Sequence, residues 1–237
     1  MNRLNAMKLT LTAHEVHVWS ISLALTNAEQ AIKLACLSPE EVARANRFHL
    51  PVHQRRFIAA HAALREILSY YLDCSAKQIS FGYTTYHKPF LSAPHTQFQF
   101  NLAHSDEMAV VALTLDHAIG IDIEKIAVSY NPGVVKRYFS PQENQAFFAL
   151  SEAERNTSFY RVWARKEAMV KATGKGLFLP LNSFSVSLND ETETILLNNE
   201  PWTLVSLSID AAYQAALATN QHIGQIVYKI MDQKTRF

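Results

Sequence analysis

The hydrophobic and polar positions of the first half of the chain predict one strand, two helices and then three further strands. Residues 16–23 alternate in the manner of a strand with distinct faces. Apolar residues then recur at helical spacing from about Gln54 to Tyr71, after a shorter helix that begins near Ser38. Strand patterns follow near residues 79–83, 98–102 and 108–115.

The second half repeats this order of elements. Its strand patterns lie at residues 119–124, 184–188, 202–208 and 213–218, its helices begin near residues 140 and 157, and residues 225–230 are a candidate for one more strand. Because the strands are gathered after the helices in each half, we expect a mixed or antiparallel sheet and therefore an α+β fold. Gly174 and Gly176 fit the end of the second long helix, where left-handed backbone is needed.

Two helix starts of one design indicate an internal duplication. Residues 38–41 and 140–143 both place a Ser at the cap, a Pro at the first helical position and a Glu three residues after the cap. These starts are 102 residues apart, and the strand-like segments 79–81 and 182–184 are 103 apart. The sequence therefore predicts a pseudo-twofold duplication of two similar α+β halves, residues 1–117 and 118–237, with one site at their interface.

The stretch Ile119–Glu124 carries two acidic residues on one strand face. Asp122 and Glu124 project from the same side of the strand, and Ile121 and Ile123 project from the other. Two neighbouring carboxylates repel each other unless a hard cation lies between them. An ordinary solvated strand edge is the alternative interpretation of this pair.

A third acidic residue lies in the helical stretch Trp163–Lys171. Glu167 and Lys171 are one turn apart on a common helix face, so this stretch can supply a carboxylate beside an ammonium. A simple helix-stabilising ion pair is the alternative. If Glu167 joins the strand pair, the sequence predicts a metal site made of three carboxylates.

The repeat predicts that the first half lacks these carboxylates. With an offset of 103 residues, the positions aligned with the three acidic residues are Trp19, Ile21 and Leu64. All three are apolar, so we expect a single metal site at the junction of the halves rather than one in each half.

Composition limits the classes of protein to consider. Of the 237 residues, 49% are hydrophobic and 18% are charged, which is typical of a globular protein with a packed core. The formal net charge of +1 argues against a general nucleic-acid or membrane-surface binder. Cys36 and Cys74 lack metal-type spacing, residues 1–11 contain no signal-peptide run, and no segment has the apolar length of a membrane span. We therefore expect a cytoplasmic protein with reduced thiols.

Four arginines are clustered in the predicted helices of the first half. Arg44, Arg47, Arg55 and Arg56 lie close together in the sequence and form either a local anion site or a solvated helix face. His104, at the end of a strand that runs into a turn, is either a buried structural histidine or a donor to a phosphate group. Three carboxylates, a divalent ion and clustered cations together suit a substrate that carries phosphate groups.

Taken together, these stretches resemble the Sfp-type 4'-phosphopantetheinyl transferases. Residues 120–124 match the family pattern Gly-[Ile/Val]-Asp-[Ile/Val]-Glu, and residues 163–171 match Trp-x-x-Lys-Glu-[Ala/Ser]-x-x-Lys. Upstream, Lys88-Pro89 and residues 100–105 are similar to two less specific segments of the family. The resemblance covers roughly residues 36–190 in the same order.

This resemblance implies a monomeric enzyme of the 4'-phosphopantetheinyl transferase fold, with coenzyme A bound between the two halves. Such an enzyme moves the 4'-phosphopantetheine arm of coenzyme A onto a serine of an apo acyl, peptidyl or aryl carrier protein and releases adenosine 3',5'-bisphosphate. The carrier can belong to fatty-acid, polyketide or nonribosomal peptide synthesis. The implied metal is Mg²⁺, with Mn²⁺ as the alternative because both ions accept hard oxygen ligands.

The resemblance also implies roles for individual residues. The metal ligands would be Asp122, Glu124 and Glu167, and the catalytic residues would be Glu167, Lys171 and Asp122. The coenzyme A contacts would be Lys166 and Lys171 at the pyrophosphate, His104, Arg44 and Arg56 at the 3'-phosphate, and Lys88 and Pro89 beside the adenine. Glu167 would accept the serine proton, directly or through a metal-bound water.

The sequence departs from the family pattern at two positions. Ala103 stands where the family usually has Ser, which predicts the loss of one hydroxyl contact. His87 replaces the usual Gly before Lys88, which affects the close approach of the backbone to adenine. We expect activity with an altered affinity for coenzyme A.

Residues 134–148 are the candidate docking segment for the carrier. Lys136, Arg137, Phe139 and Phe147 offer cations and aromatic rings to an acidic carrier helix. The alternative is that Phe147 and its neighbour Phe148 are core residues.

Two other classes of function remain open at this level. Asp-x-Glu pairs also occur in other Mg²⁺-dependent phosphotransfer enzymes and in nucleases, which would act without coenzyme A. A non-catalytic module that binds coenzyme A or a carrier protein would be expected to lack at least one of the three carboxylates, and this chain retains all of them.

Overall fold

The structure is a computed structural model that describes residues 8–233. Residues 1–7 and 234–237 lie outside the described residues. The expectation that residues 1–11 contain no signal peptide therefore falls mostly outside them. The helices of the described part are α1 (Asn27–Leu34), α2 (Pro39–Ala45), α3 (Pro51–Ser69), α4 (Pro132–Tyr138), α5 (Pro141–Ala149) and α6 (Glu152–Thr173). The strands are β1 (Glu15–Ser22), β2 (Phe81–Tyr83), β3 (Pro89–Leu91), β4 (Phe98–Ser105), β5 (Met108–Leu115), β6 (Ile119–Lys125), β7 (Glu193–Leu197), β8 (Glu200–Leu207), β9 (Tyr213–Thr219) and β10 (Gln225–Met231). Between residues 8 and 233, no helix is both long enough and apolar enough to cross a membrane.

Two sheets of the same connectivity confirm the duplicated α+β fold. The strand order is β10-β1-β5-β4 in the first sheet and β6-β9-β8-β7 in the second. In each half, the first strand pairs antiparallel with the last strand of the unit, which pairs in turn with the strand before it. β10 joins the first sheet parallel to β1, so the last strand of the chain completes the sheet of the other half. The division at residues 117 and 118 stays a prediction.

The two helix starts of the repeat are built alike. At Ser38 and at Ser140, the serine hydroxyl accepts from the backbone N–H of the Glu three residues later, and that Glu carboxylate accepts from the serine N–H. Another capping box, at Ser151, starts α6 at Glu152, five residues before the predicted start. The patterns did not reveal the short helices α1 and α4 or the strands β3 and β7.

The predicted strand at residues 184–188 is wrong. Its backbone groups bond to side chains instead of to a neighbouring strand: the Val186 N–H donates to the Glu143 carboxylate at 2.7 Å, and the Phe184 carbonyl accepts from Lys166 at 2.7 Å. Alternating apolar residues here supply buried side chains to a loop, which the pattern alone does not distinguish from a strand.

Apolar packing stabilises each half and joins the two halves to each other. The long helix of each half packs on the outer face of its own sheet, and the inner faces of the two sheets pack on each other through Val16, Val18, Ile121 and Ile123. β6 therefore has one face in the interface between the halves and its other face toward α6. Residues 119–123 of β6 are therefore buried, and its last residue, Lys125, is exposed.

The positions aligned with the acidic residues lie in the core of the first half. Trp19, Ile21 and Leu64 are all buried there, against α3 and its sheet. The same scaffold thus buries apolar side chains in one copy and carboxylates in the other.

Candidate active site

The close approach of α6 to β6 depends on a glycine. A Cβ atom at Gly120 would lie 2.2 Å from the carbonyl oxygen of Ala168 and 2.3 Å from the backbone nitrogen of Ala172. No larger residue fits without separating the strand from the helix. This contact brings the acidic face of β6 against the face of α6 that carries Glu167 and Lys171.

Asp122 lies at the centre of this contact. Its side chain is buried, and the Lys171 ammonium donates to Oδ1 at 2.5 Å. The other carboxylate oxygen, Oδ2, is buried without a hydrogen-bond partner. Burial raises the pKa of Asp122, although Lys171 opposes this effect. An unpartnered buried carboxylate oxygen is costly unless another positive group satisfies it.

Glu124 and Glu167 add negative charge beside Asp122. Burial, reinforced by the Asp122 charge, raises the pKa of Glu124 to about 7, while a hydrogen bond from Ser105 at 3.2 Å lowers it in part. Burial and the Asp122 charge also raise the pKa of Glu167. The cluster therefore holds three carboxylates against the single ammonium of Lys171.

These residues fit a hard divalent cation in donor type and in charge. All three supply carboxylate oxygens, and Asp122 Oδ2 has a coordination position to offer. Across residues 8–233, no three His, Cys, Asp or Glu side chains are already arranged as a metal site. A bound ion would thus require side chains of this cluster to rotate toward it.

A cleft with a volume of about 590 Å³ opens next to the carboxylates, between the two halves. Lys88, Pro89 and Asn101 line it from the first half, and Glu167 and Lys171 line it from the second. Further lining comes from residues 137–138 and 179–182. Apolar and polar groups from both halves thus form one cavity that ends at the acidic cluster.

Two polar side chains of β4 connect the halves at this place. The Asn101 amide oxygen accepts from the Ile121 N–H at 2.8 Å, and the Ser105 hydroxyl accepts from the Lys125 N–H at 3.1 Å. These two hydrogen bonds fix the position of β6 along β4. Asn101 was not among the predicted site residues, although an Asn between the apolar residues Phe100 and Leu102 is a signal that could have identified it.

The predicted cations of the first half differ in how free they are to bind an anionic ligand. His104 is exposed, and partial desolvation by the surrounding protein, together with the charges of His61, Lys171 and Arg56, lowers its pKa. Arg56 donates to Asp106 and Glu107, so its charge is largely balanced within the protein.

Arg44 reaches the same region through aromatic contacts. Its guanidinium lies 5.2 Å from the centre of the Phe57 ring, which stacks on His61 at 4.0 Å. His61 in turn is close enough to His104 to lower its pKa. Arg56 and His61 thus act on His104 directly, whereas Arg44 is linked to it only through Phe57 and His61.

The expectation for Lys166 is wrong. Its side chain is fully buried, and its ammonium donates to the carbonyls of Leu181 and Phe184 at 2.7 Å and pairs with Glu143 at 2.8 Å. Burial lowers the pKa of Lys166, and Glu143 opposes this effect. Lys166 thus stabilises the loop after α6, and it has no ammonium left for a phosphate in the cleft.

The docking segment also needs correction. Phe139 and Phe147 are buried in the core of the second half, so they offer no surface to a partner. Lys136 and Arg137 are exposed at the end of α4, and Arg137 lines the cleft. Phe148 is partly exposed, in contrast to the alternative that placed it in the core.

The two departures from the family pattern have different consequences. Ala103 is buried in the core between the two sheets, so a hydroxyl at this position would face apolar side chains and not the cleft. The prediction of a lost contact there is wrong. His87 does line the cleft, with left-handed backbone at φ 62° that a glycine adopts more easily.

Comparison with known proteins gives matches over both halves. Residues 118–222 match a family described as the 4'-phosphopantetheinyl transferase superfamily, and residues 24–116 match one described as 4'-phosphopantetheinyl transferase, N-terminal. The 4'-phosphopantetheinyl transferase HetI of Nostoc sp. is 37% identical over 214 residues, covering 89% of this chain and 90% of HetI. A 4'-phosphopantetheinyl transferase of Bacillus subtilis is 32% identical over 199 residues, covering 81% of this chain and 86% of the relative. Sfp of Bacillus subtilis is 29% identical over 197 residues, with the same coverage of 81% and 86%.

Proposed function

Because the chain belongs to the 4'-phosphopantetheinyl transferase superfamily, we propose that it activates a carrier protein with coenzyme A at the cleft between its halves. The 4'-phosphopantetheine arm of coenzyme A is transferred to a serine hydroxyl of an apo acyl, peptidyl or aryl carrier protein. The other product is adenosine 3',5'-bisphosphate. The observation that carries this proposal is that Glu167 and Lys171 line the cleft while Lys171 also donates to Asp122, whose charge acts on both Glu124 and Glu167.

Coenzyme A has chemical features that suit the two sides of the cleft. Its adenine would lie against Lys88 and Pro89, which line the cleft from the first half. Its 3'-phosphate would face His104, with Arg44 and Arg56 nearby. Since Arg56 is already paired with Asp106 and Glu107, we expect His104 and Arg44 to contribute more than Arg56.

Asp122, Glu124 and Glu167 would hold Mg²⁺, or Mn²⁺, next to the pyrophosphate. When bound, this ion would neutralise charge that develops on the pyrophosphate oxygens during transfer. The donor set supports the assignment, because Asp122 Oδ2 has no protein partner and the neighbouring carboxylates repel each other.

The remaining chemistry falls to Glu167 and Lys171. The serine oxygen forms a bond to the phosphorus that carries the pantetheine arm, and the bond from that phosphorus to the bridging oxygen breaks. Glu167 accepts the serine proton, directly or through a water molecule. Lys171 stabilises the negative charge on the departing bisphosphate.

A cytoplasmic, monomeric enzyme without nucleic-acid or membrane partners completes the proposal. Both cysteines are free thiols, which supports a reducing compartment. The formal net charge of +1 supports a protein without a general affinity for polyanions.

A mass measurement tests the proposed activity directly. The purified protein is incubated with apo carrier proteins of the fatty-acid, polyketide and peptide classes, with coenzyme A and Mg²⁺, and each carrier is weighed. We expect at least one carrier to gain one phosphopantetheine group. No gain on any of the three classes would contradict the proposal.

Alanine substitutions test the assigned residues. Asp122→Ala and Glu167→Ala should each lower kcat by at least about 100-fold, because each removes a group that acts on the transition state. Glu200→Ala, at an exposed position outside the cleft, is the matched control and should keep wild-type kcat. Near-normal kcat in either site variant would show that the metal site is misplaced.

A further inference from the structure

Lys88 makes contacts that its place in the cleft does not explain. Its ammonium donates to the carbonyl oxygen of Ile119 at 2.9 Å and to that of Ala172 at 3.2 Å. Ile119 is the first residue of β6, and Ala172 lies in the last turn of α6. One side chain of the first half thus joins the two elements of the second half that carry the acidic cluster and Lys171.

The carbonyl of Ala172 is a natural acceptor for this ammonium. The last four carbonyls of a helix have no partner within the helix, and the C-terminal end of a helix attracts positive charge. Lys88 therefore both satisfies a helix-end carbonyl and compensates the helix dipole. These two effects give the ammonium a reason to face the protein and not the ligand.

The Lys88 side chain passes the C-terminal end of α6 at Gly174. Gly174 ends α6 with left-handed backbone at φ 67°, and a Cβ atom there would lie 3.4 Å from Cδ of Lys88. Burial of the side chain lowers the pKa of Lys88 to about 8. A buried cation with two carbonyl partners is held in one position more strictly than a solvated lysine.

The lysine acts beside the contact that sets the distance between strand and helix. Ile119 precedes Gly120, whose Cα faces the backbone of Ala168 and Ala172. Lys88 bonds to Ala172 as well, so the Gly120 contact limits how close β6 and α6 come, and Lys88 limits how far apart they move. The next helix residue back from Ala172 is Lys171, which donates to Asp122.

We infer that Lys88 is a positioning residue that holds β6 and α6 together, and so sets the alignment of Asp122 and Glu124 with Glu167 and Lys171. The inference rests on the proposed function for its kinetic consequences, and its structural part is independent of that function. It differs from a direct contact with coenzyme A because the ammonium acts through the backbone of other residues.

Two substitutions separate a positioning role from a ligand contact. Lys88→Met keeps most of the aliphatic side chain and removes the donors. Lys88→Arg keeps the positive charge, but its planar guanidinium does not place one nitrogen between the two carbonyls. A charge contact with a phosphate would be restored by Arg, whereas the bridge between Ile119 and Ala172 would not. Lys77→Met, at an exposed position in the first half, is the matched control.

The kinetic test compares the change in kcat with the change in the KM for coenzyme A. We expect both Lys88 variants to lower kcat by about 10- to 100-fold, the range found when groups that orient metal ligands are removed. The coenzyme A KM should change by less than about threefold. A normal kcat with a strongly raised KM in Lys88→Met, restored in Lys88→Arg, would overturn the inference. If the wild-type enzyme modifies no carrier, the proposed function fails and kcat cannot be compared. Hydrogen exchange of backbone amides then tests the inference alone.

Hydrogen exchange of backbone amides supplies a readout that needs no activity. Lys88→Met should exchange faster than wild type at the end of α6 and the start of β6, while α3 keeps its protection. Lys77→Met should match wild type throughout. Unchanged exchange at both segments in Lys88→Met would overturn the inference, whatever the activity of the enzyme.

Discussion

Replacing Glu124 by Gln should stabilise the metal-free protein. Burial and the Asp122 charge raise the pKa of Glu124 from 4.5 to about 7. Each pH unit by which a pKa is raised corresponds to about 1.4 kcal/mol, so the charged form of Glu124 would cost about 3 kcal/mol of folding free energy. Because Glu124 is partly exposed, solvent screening reduces this cost to about 1–2 kcal/mol. Gln has the same shape, still accepts from Ser105, and carries no charge.

The effect should depend on pH in a defined direction. The folded protein holds the Glu124 proton more tightly than the unfolded chain, so this residue favours folding most below about pH 4.5. The contribution is lost as the pH rises through about 7. Glu124→Gln should therefore match wild type in stability near pH 4.5 and exceed it at pH 8.

Urea unfolding in EDTA at these two pH values measures the difference. Glu200→Gln, at an exposed position, is the control for the loss of one carboxylate and should show no pH-dependent gain. Mg²⁺ should reverse the order of stability at pH 8, because an ion at 100 times its Kd stabilises wild type by about 2.7 kcal/mol, and the variant lacks one ligand. Equal stability of Glu124→Gln and wild type in EDTA at pH 8 would refute the reasoning.

Three further predictions follow from the corrected site. Lys166→Met leaves Glu143 buried without its ion-pair partner and should lower the free energy of unfolding by about 3–5 kcal/mol, measured in urea, while the coenzyme A KM of the folded fraction stays normal. Lys136→Glu, at an exposed position of α4 that does not line the cleft, should raise the KM for the carrier protein and leave the dissociation constant of coenzyme A unchanged in calorimetry; equal effects on both would contradict docking at α4. His87→Gly should raise the thermal midpoint, since φ 62° strains a non-glycine residue by about 1 kcal/mol, and an unchanged or lower midpoint would show that contacts of the imidazole outweigh the strain.

Much of the second half could be predicted because its signals are local. The alternation of Ile119–Glu124 set the faces of β6, and the four-residue spacing of Glu167 and Lys171 set a common face of α6. The same geometry could have corrected Lys166, because a residue five positions before Lys171 points about 140° away around a helix. The helical period alone therefore places Lys166 on a different face of α6 from Lys171.

The burial of aromatic residues could not be read in the same way. Phe139, Phe147 and Phe148 are chemically alike in sequence, yet two are buried and one is partly exposed. Which ring faces the core depends on how α4 and α5 pack against α6, and the short helices carry too few residues for a clear period. The loop at 184–188 failed for a related reason, because side chains of Glu143 and Lys166 replace its strand partners.

The sequence by itself determined the duplication, the identity of the three carboxylates and the absence of counterparts at Trp19, Ile21 and Leu64, because these depend on residue type and on spacing within single elements. Only the tertiary structure decided which cations are free to meet a ligand. Lys88 and Lys166 both carry ammonium groups near the site, and both donate them to backbone carbonyls distant in sequence. An unpaired helix-end or loop carbonyl competes with any ligand for such a donor, and its position relative to the lysine exists only in the folded chain.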